Sequence, residues 1–267
     1  MWLLSFRIGV VGLFLLQLVF AGQCEPKSKC SRKLSNSVSR SSLTALVLAR
    51  GGSKGIPLKN LAQIGDGRSL LSRTLKVLVE FERFNTVWVS TDDPRIISDV
   101  KNHFPNGSLV RVHYRSPETS QDDTTSIDSV LEFLSKHPEV ENLALVQCTS
   151  PFLRTIYLED AFKKFHRGKK DCVFSAVRSY KLRWKESVDD MIIPVNFNPD
   201  KRPRRQDWTG ELVETGMFYF ARKSLLMQGR FQNDNCGIVE IDYRDALEID
   251  SGYDLELAKM IVQNGGQ

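Results

Sequence analysis

The sequence predicts an α/β fold with a Rossmann-like, doubly wound and mostly parallel sheet. Short apolar runs alternate with segments of amphipathic helical spacing from residue 43 to residue 177. The first run, LTALVLA (43–49), is almost entirely apolar, as expected for a strand buried on both faces of a parallel sheet. Helical segments of about a dozen residues separate such runs, which is the spacing of βαβ units.

Each element of this alternation has its own sequence signal. The segment SLLSRTLKVLVEF places Leu71, Leu75 and Leu78 on one helical face. Pro94 opens the next helix after two aspartates, because proline suits a first helical turn. The predicted strands are 43–49, 86–91, 108–114, 142–148 and 171–177, and the predicted helices are 69–81, the segment from 94, 125–136 and 155–165.

The alternation breaks at residues 178–212, which hold three prolines, two tryptophans and the basic cluster KRPRRQ. Such a composition predicts an excursion away from the sheet. Strand signals return at 215–221 and 237–242, and a helical segment at 253–263 closes the domain.

Charge is distributed unevenly along the chain. The net charge is +5, and residues 1–42 carry all of it, with six cations and one acid. The remaining residues are therefore neutral overall, which argues against a nucleic-acid partner. A hydrophobic content of 41% supports a packed core rather than disorder.

The N-terminus has the form of a secretory leader. Arg7 precedes an apolar stretch that ends in small residues, so we expect 1–22 to be a signal peptide or an uncleaved signal anchor, the chain's one route to a membrane. Residues 23–42 read as a polar stalk in which Cys24 and Cys30 can pair. Asn106 begins the one N-glycosylation sequon.

The three remaining cysteines are Cys148, Cys172 and Cys236, and the odd total of five excludes a complete disulfide set. We interpret Cys148 and Cys172 as buried free thiols because they lie in or beside apolar runs. No cysteine or histidine spacing typical of a metal site is present.

The loop ARGGSKGIPLKN (49–60) directly follows the first strand. Ligands of open parallel sheets bind beyond the carboxyl ends of the strands, and glycines let the backbone approach them closely. Arg50, Lys54 and Lys59 suit an anionic polyphosphate. The spacing matches neither a Walker A loop nor a dinucleotide fingerprint, and a glycine-rich turn with solvated lysines is the alternative.

Two further segments carry candidate chemistry. DDTTS reads as a helix start in which Asp122, Thr124 or Ser126 is the cap. Glu248 and Asp250 alternate along an extended segment, so both carboxylates project to one side and can hold Mg²⁺ against a ligand's phosphates. Asp254 is expected to cap the final helix, and a simple surface acid is the alternative for Asp250.

These stretches together carry a resemblance. LARGGSKGIPLKN, VWVSTDD, RSPETSQDDTTS, QCTSP, FNPDKRPRRQDW, ETGMFYFA and EIDSGYDLELA resemble, in order, the motifs of CMP-N-acetylneuraminate (CMP-sialic acid) synthetases, a family of cytidylyltransferases. The resemblance covers about residues 43–263. It implies a nucleotidyltransferase fold over 43–267, a dimerisation insertion at 178–212, and transfer of CMP from CTP to a sialic acid with release of pyrophosphate.

The resemblance also implies roles and partners: Mg²⁺ or another divalent cation as cofactor, CTP and sialic acid as substrates, and a homodimer with a shared active site. Two positions depart from the family's usual pattern, Cys148 in QCTSP and Glu248, where relatives usually have aspartate. By position, the implied residues are Arg202, Lys59 and Asp250 for catalysis, Arg50, Ser53, Lys54, Asn60, Arg115, Thr124 and Ser126 for CTP, Gln147, Arg204 and Tyr219 for the sugar, and Asp250 and Glu248 for the metal.

Alternatives remain for the basic cluster and for the function. KRPRRQ also fits a nuclear address or a solvated loop, whereas the leader favours the secretory pathway and the Golgi lumen. The chain ends soon after its closing helix, so we expect the insect-like form without a C-terminal phosphatase-like domain. The rival functions are a CMP-KDO-type cytidylyltransferase for another keto-sugar, and a nucleotide-sugar-binding pseudoenzyme, which Glu248 suggests.

Overall fold

A seven-stranded sheet organises residues 42–52, 55–105 and 108–265, the residues that the computed structural model describes. The predicted leader, the Cys24–Cys30 pair, Ser53, Lys54 and Asn106 lie outside these residues. The strands are β1 Leu43–Leu48, β2 Thr86–Thr91, β3 Val110–Tyr114, β4 Asn142–Val146, β5 Cys172–Ser179, β6 Trp184–Glu186, β7 Ile192–Pro194, β8 Glu211–Arg222 and β9 Cys236–Glu240; the α-helices are α1 Leu70–Glu80, α2 Pro94–His103, α3 Ser126–Lys136, α4 Thr155–Arg167, α5 Lys223–Leu226 and α6 Gly252–Gln263.

The sheet order is β3-β2-β1-β4-β8-β5-β9, and its pairs are parallel except those of β8. β8 runs antiparallel to both β4 and β5. The predicted mostly parallel, doubly wound sheet is therefore confirmed. The direction and place of β8 were not predicted, because hydrophobic periodicity reports burial and not the neighbour of a strand.

Helices cover both faces of the sheet. Apolar side chains of α1, α2 and α4 pack in one core cluster, and those of α3 and α5 pack in a second cluster on other strand residues. Successive residues of a strand point to opposite faces and so belong to different clusters. In β1, for example, Ala45 and Val47 belong to the first cluster and Leu46 to the second. Such two-sided burial explains why the strands read as continuous apolar runs.

The helix caps differ in part from the predictions. Thr125 caps α3, its hydroxyl accepting from the Asp128 N–H in a capping box, so the expectation of Asp122, Thr124 or Ser126 is wrong, and the cap lies between the last two. Ser251 caps α6, and Asp254 is the reciprocal partner of that capping box rather than the cap. In both cases several nearby hydroxyl or carboxyl residues could cap the helix, and backbone geometry selects one of them.

A disulfide joins Cys172 on β5 to Cys236 on β9. The interpretation of Cys172 as a free thiol is therefore wrong. The two residues are direct partners in the parallel register of these strands although 64 residues separate them, a pairing that only the sheet topology creates. Cys148 is buried and free, as predicted.

The excursion leaves the sheet through the long β5–β8 pair, whose ladder runs out to Ser179 and Glu211. Beyond it, β6 and β7 form a separate two-stranded antiparallel sheet. Among the described residues we find no helix with the length and apolar character needed to cross a bilayer.

Candidate active site

The candidate residues gather at the carboxyl edge of the sheet where the strand order changes direction. The chain proceeds from β1 outward to β2 and β3, and then returns to place β4 on the other side of β1. The loop after β1 and Gln147 after β4 therefore flank the topological switch point, which is where open α/β sheets bind ligands.

The loop after β1 is held by its glycines and by one asparagine. The Gly51 N–H donates to Asp92 Oδ1 at 2.9 Å, and a Cβ on Gly51 would lie 2.2 Å from Asp93 Oδ2, so only glycine fits. The buried Asn60 closes the loop by donating from Nδ2 to the Arg50 carbonyl at 3.0 Å. The side chains of Asp92 and Asn60 therefore hold the backbone at Gly51 and Arg50.

Arg50 links this loop to the segment before α3. Its Nη1 donates to Asp122 Oδ1 at 2.7 Å and to the Gln121 carbonyl at 3.1 Å. Thr124 lies in the same segment, where its hydroxyl donates to the Glu118 carbonyl at 3.1 Å, and Ser126 is the exposed first residue of α3. The structure thus brings three of the predicted nucleotide-binding residues to one rim of the edge.

Lys59 lies on the other side of the loop. Its ammonium donates to Asp250 Oδ1 at 3.1 Å, and the lysine side chain is 17% exposed whereas that of Asp250 is 72% exposed. The backbone of the loop also lies close to the backbone at Asp250, since a Cβ on Gly55 would lie 2.9 Å from the Asp250 carbonyl oxygen. Lys59 and Asp250, two of the predicted catalytic residues, are therefore adjacent.

Glu248 completes an acidic pair with Asp250. Its Oε1 accepts from the Thr149 hydroxyl at 3.4 Å, and Gly216 approaches so closely that a Cβ there would lie 3.2 Å from Oε2. Burial raises the pKa of Glu248, and the negative charge of Asp250 raises it further. The pair thus concentrates negative charge that a cation would relieve.

The two carboxylates match Mg²⁺ that is also bound by phosphates. Among the described residues, no group of three or more histidine, cysteine or acidic side chains could hold a metal ion. Mg²⁺ bound with phosphates commonly takes one or two protein carboxylates, with phosphate and water oxygens filling the other positions. Glu248 and Asp250 match that donor set, and they do not form a complete metal cage by themselves.

Arg115 follows β3 and is buried. Its Nη2 donates to the Ser129 hydroxyl, and its Nε is buried without a hydrogen-bond partner. Burial lowers the pKa of Arg115, and the nearby charge of Asp92 opposes this effect. A buried guanidinium with unused donor capacity suits an anionic ligand.

Cys148 is a site residue that the sequence analysis treated only as a packing residue. Its Sγ donates to Asn60 Oδ1 at 3.1 Å, so it connects β4 to the loop that holds Arg50. Burial raises the pKa of this thiol to about 12, which keeps it a neutral donor. No spacing rule links residues 88 positions apart, and only the β1–β4 pairing brings them together.

Gln147 directly follows β4, and Tyr219 lies on β8, the antiparallel partner of β4. The Gln147 N–H donates to the Met217 carbonyl at 3.0 Å, which fixes the backbone from which its side chain extends. The Tyr219 hydroxyl donates to Glu214, and burial together with this carboxylate raises the tyrosine pKa. Glu248 also contributes to that shift, so Tyr219 lies within the electrostatic reach of the acidic pair.

Arg202 and Arg204 lie in the excursion. Arg202 stacks over the Phe197 ring at 5.7 Å, and Arg204 forms an ion pair with Asp207. Across residues 42–52, 55–105 and 108–265, no hydrogen bond or ion pair joins either arginine to the carboxyl edge. The recorded contacts of these two predicted residues therefore lie within the excursion.

Comparisons with known proteins agree with this architecture. The family model described as Cytidylyltransferase matches residues 44–264. The chain belongs to the cytidylyltransferase family. The family resemblance seen in the sequence is thereby confirmed.

Curated relatives of this cytidylyltransferase include N-acylneuraminate cytidylyltransferase A of Danio rerio, 41% identical over 90% of this chain and 53% of that protein. N-acylneuraminate cytidylyltransferase of Oncorhynchus mykiss is 35% identical over 90% of this chain and 55% of that protein. The chain spans about half the length of the curated relatives it matches.

Solved structures support the same fold. 4-Diphosphocytidyl-2C-methyl-D-erythritol synthase from Anaerococcus prevotii aligns with a TM-score of 0.62 and 17% identity, covering 84% of this chain and 97% of that chain. A CMP:2-keto-3-deoxy-manno-octonic acid synthetase complexed with CTP has a TM-score of 0.62 and 16% identity, covering 84% of this chain and 100% of that chain. At these identities the likeness concerns the fold alone.

Proposed function

We propose that this cytidylyltransferase joins CTP and a sialic acid to give CMP-sialic acid and pyrophosphate. The observation that carries the proposal is the meeting of fixed cations, bare glycine backbone and an acidic pair at the β1–β4 switch point. The relatives named N-acylneuraminate cytidylyltransferase support the choice of acceptor.

In the proposed reaction, the anomeric hydroxyl oxygen of the sugar forms a bond to the α-phosphorus of CTP. The bond from that phosphorus to the bridging oxygen breaks, pyrophosphate departs with the electron pair, and the proton of the hydroxyl passes to solvent water. The chain mainly positions groups and stabilises charge in such transfers. Lys59 would stabilise the reacting phosphate, and Arg50 and Arg115 would hold the nucleotide, with backbone N–H groups of the loop beside them.

Mg²⁺, or another divalent cation, would be held by Glu248 and Asp250 together with the phosphates of CTP. Its chemistry would be to neutralise negative charge on the triphosphate. The raised pKa of Glu248 supports the proposal, because a cation placed against both carboxylates would favour the ionised form of each.

The sugar would meet Gln147 and Tyr219 from one chain, and Arg202 and Arg204 from the excursion of a second chain. A homodimer with shared sites is supported by the apolar side chains that this excursion exposes. These exposed residues are Trp184, Val188, Met191, Ile192 and Val195.

The decisive assay incubates the purified chain with CTP and N-acetylneuraminate and measures pyrophosphate release. KDO (2-keto-3-deoxy-manno-octonic acid) in place of N-acetylneuraminate is the matched substrate control. Release with the sialic acid and little with KDO supports the proposal, whereas the reverse preference would assign the chain to the rival keto-sugar.

The alternative of a nucleotide-sugar-binding pseudoenzyme, which Glu248 suggests, is tested by comparing CTP binding with turnover. Binding of CTP without pyrophosphate release from any keto-sugar would identify a nucleotide-binding protein without turnover. If the longer glutamate limits metal geometry, Glu248→Asp raises the turnover of an active chain, and an unchanged rate removes that idea.

We further propose that the chain works in the secretory pathway, in the Golgi lumen. The Cys172–Cys236 disulfide supports an oxidising compartment. Imaging of a tagged full-length chain, with glycosidase digestion to detect a glycan at Asn106, tests this. Nuclear or cytosolic signal with no glycan shift would instead favour the nuclear alternative.

A further inference from the structure

A small cationic cavity lies beside the candidate active site, under the loop that follows β4. It has a volume of about 220 Å³ and lies between α1 and the segment that leads from β4 into α4. Four cations line it, Arg68, Arg73, Lys76 and Arg154, together with the single acid Asp66. None of the predicted site residues belongs to this lining.

The charges around this cavity are not balanced. Asp66 Oδ2 accepts from Nη1 of Arg73 and lies 3.5 Å from Nη1 of Arg68, so two guanidinium groups share one carboxylate. The other two cations have partners outside the cavity, Glu80 for Lys76 and Asp245, at 3.4 Å, for Arg154. One positive charge is thus left without a compensating carboxylate where Arg68 and Arg73 meet.

The wall also contains unused polar groups. Thr74 Oγ1 and Arg73 Nε are buried without a hydrogen-bond partner, an arrangement that calls for an explanation in a folded protein. Helix α4 begins at Thr155, next to Arg154 of the lining, and no side chain caps it. The positive end of that helix dipole therefore lies at the rim of a cavity that is already cationic.

The volume limits the ligand. About 220 Å³ exceeds the ~30 Å³ share of a water several times, yet it lies below the ~300 Å³ at which small-molecule pockets begin. A whole nucleotide is too large, and a small oxyanion fits. Guanidinium forks match phosphate oxygens in pairs. We propose that this cavity binds a phosphate-class oxyanion, either free phosphate or the pyrophosphate unit, at a site whose lining includes none of the predicted active-site residues.

Titration calorimetry of the full-length chain, with orthophosphate and with pyrophosphate separately, tests the proposal. We expect each of Arg68→Gln and Arg73→Gln to weaken binding at this site at least tenfold. Lys59→Met, at the carboxyl edge, leaves this binding intact, so the result is independent of the proposed function. Arg83→Gln is the matched control, because Arg83 also pairs with a carboxylate, Glu159 at 3.0 Å, outside this lining. The tighter of the two anions identifies the ligand.

Three results would overturn the proposal: no heat with millimolar anion, equal affinity in wild type and Arg68→Gln, or loss of all binding in Lys59→Met. Arg68 is 45% exposed, so its substitution leaves the core unchanged even if Arg73→Gln fails to fold. Thr74→Val is a further variant that replaces the unpaired hydroxyl by a methyl group of the same shape. We expect it to weaken binding without loss of stability.

Discussion

Individual side chains at the carboxyl edge differ in how firmly they are held. Lys59 is largely buried, and its Asp250 partner is mostly exposed. A lysine restrained in this way keeps its ammonium at the edge, where a phosphate can exchange for the exposed carboxylate. Arg50 is similarly fixed by Asp122 and by the Gln121 carbonyl. Pre-placed cations avoid reorganisation during reaction, which makes them effective at stabilising developing charge.

The Lys59→Met variant tests this role. We expect kcat/KM for CTP to fall by about 100-fold or more, the usual scale for loss of one positioned charge donor. Pyrophosphate release measures the effect. Lys101→Met, an exposed lysine on α2, is the control and retains wild-type activity. A Lys59→Met chain with near-normal kcat/KM would exclude Lys59 from the reaction.

A second prediction for a single side chain concerns the substitution of Glu248. In Glu248→Gln the repulsion from Asp250 is removed together with one anionic ligand. The Mg²⁺ concentration that gives half-maximal activity should rise about tenfold, because hard cations prefer charged oxygen ligands. Activity measured against added Mg²⁺ gives this value, and unfolding in urea checks that the variant is folded. An unchanged Mg²⁺ requirement would place the metal elsewhere.

Sequence reasoning found most of these side chains, and it missed their supports. The positions of Lys59, Asp250 and Arg115 in the motifs were sufficient to nominate them. Asp92, Asp122 and the Cys148 thiol act through contacts with residues 41, 72 and 88 positions away, and the sequence contains no signal for such pairs.

At the scale of elements, the pairing of β5 with β9 contributes to the stability of the fold. β5 and β9 lie at the end of the sheet, and their parallel pairing holds Cys172 opposite Cys236. A covalent bond at an outer strand limits fraying where the ladder has a neighbour on one side only. Closing a 64-residue separation also removes much of the entropy of the unfolded chain.

Reduction of this disulfide should lower the free energy of unfolding by about 4 kcal/mol, the chain-entropy value for a loop of this length. For a domain of this size the melting temperature would fall by roughly 10 °C. Urea unfolding with and without reductant gives the difference. The Cys172→Ser/Cys236→Ser double variant should lose the response to reductant, and a wild type insensitive to reductant would contradict the prediction.

Packing between β3 and α3 makes stability depend on pH. His113 is buried, with its Nδ1 3.0 Å from Ser90 Oγ and its ring against Phe133. Burial lowers the pKa of His113 from 6.5 to about 4. Between these two values the unfolded chain binds a proton that the folded chain does not. The contribution of His113 to stability is therefore complete above pH 6.5 and is lost as pH falls toward 4.

We expect the wild-type free energy of unfolding to decline over that window, with a slope from this group of at most about 1.4 kcal/mol per pH unit. His113→Gln removes this titration and should flatten the slope. Urea unfolding from pH 4.5 to pH 7 provides the measurement, with the exposed His103→Gln as the matched control. Identical slopes for wild type and His113→Gln would refute the mechanism.

At the scale of the whole molecule, we propose that the active site is shared between two chains. The carboxyl edge supplies Lys59 and the acidic pair, while Arg202 and Arg204 stay within their own excursion. Exposed apolar side chains on the excursion are typical of a surface that another chain covers. A symmetric dimer would place each excursion against the partner's sheet edge.

Mixed dimers test this arrangement. A Lys59→Met chain co-expressed with an Arg202→Ala chain forms one site with both defects and one site with neither. The purified mixed dimer should recover about half of wild-type activity, although each variant alone is inactive. Light scattering confirms the dimer. Absence of recovery would show that Lys59 and Arg202 act in the same chain, and full activity of the Arg202→Ala chain by itself would show that Arg202 does not act.

The sequence by itself determined the α/β class, the mostly parallel sheet, the loop after β1 and the family, because burial periodicity and local motifs are properties of short segments. The tertiary structure alone decided the antiparallel insertion of β8, the Cys172–Cys236 bond, the Cys148–Asn60 contact and the cationic cavity beside α1. Each of these depends on which distant segments become neighbours, and that is set by the packing of the whole sheet rather than by any local pattern.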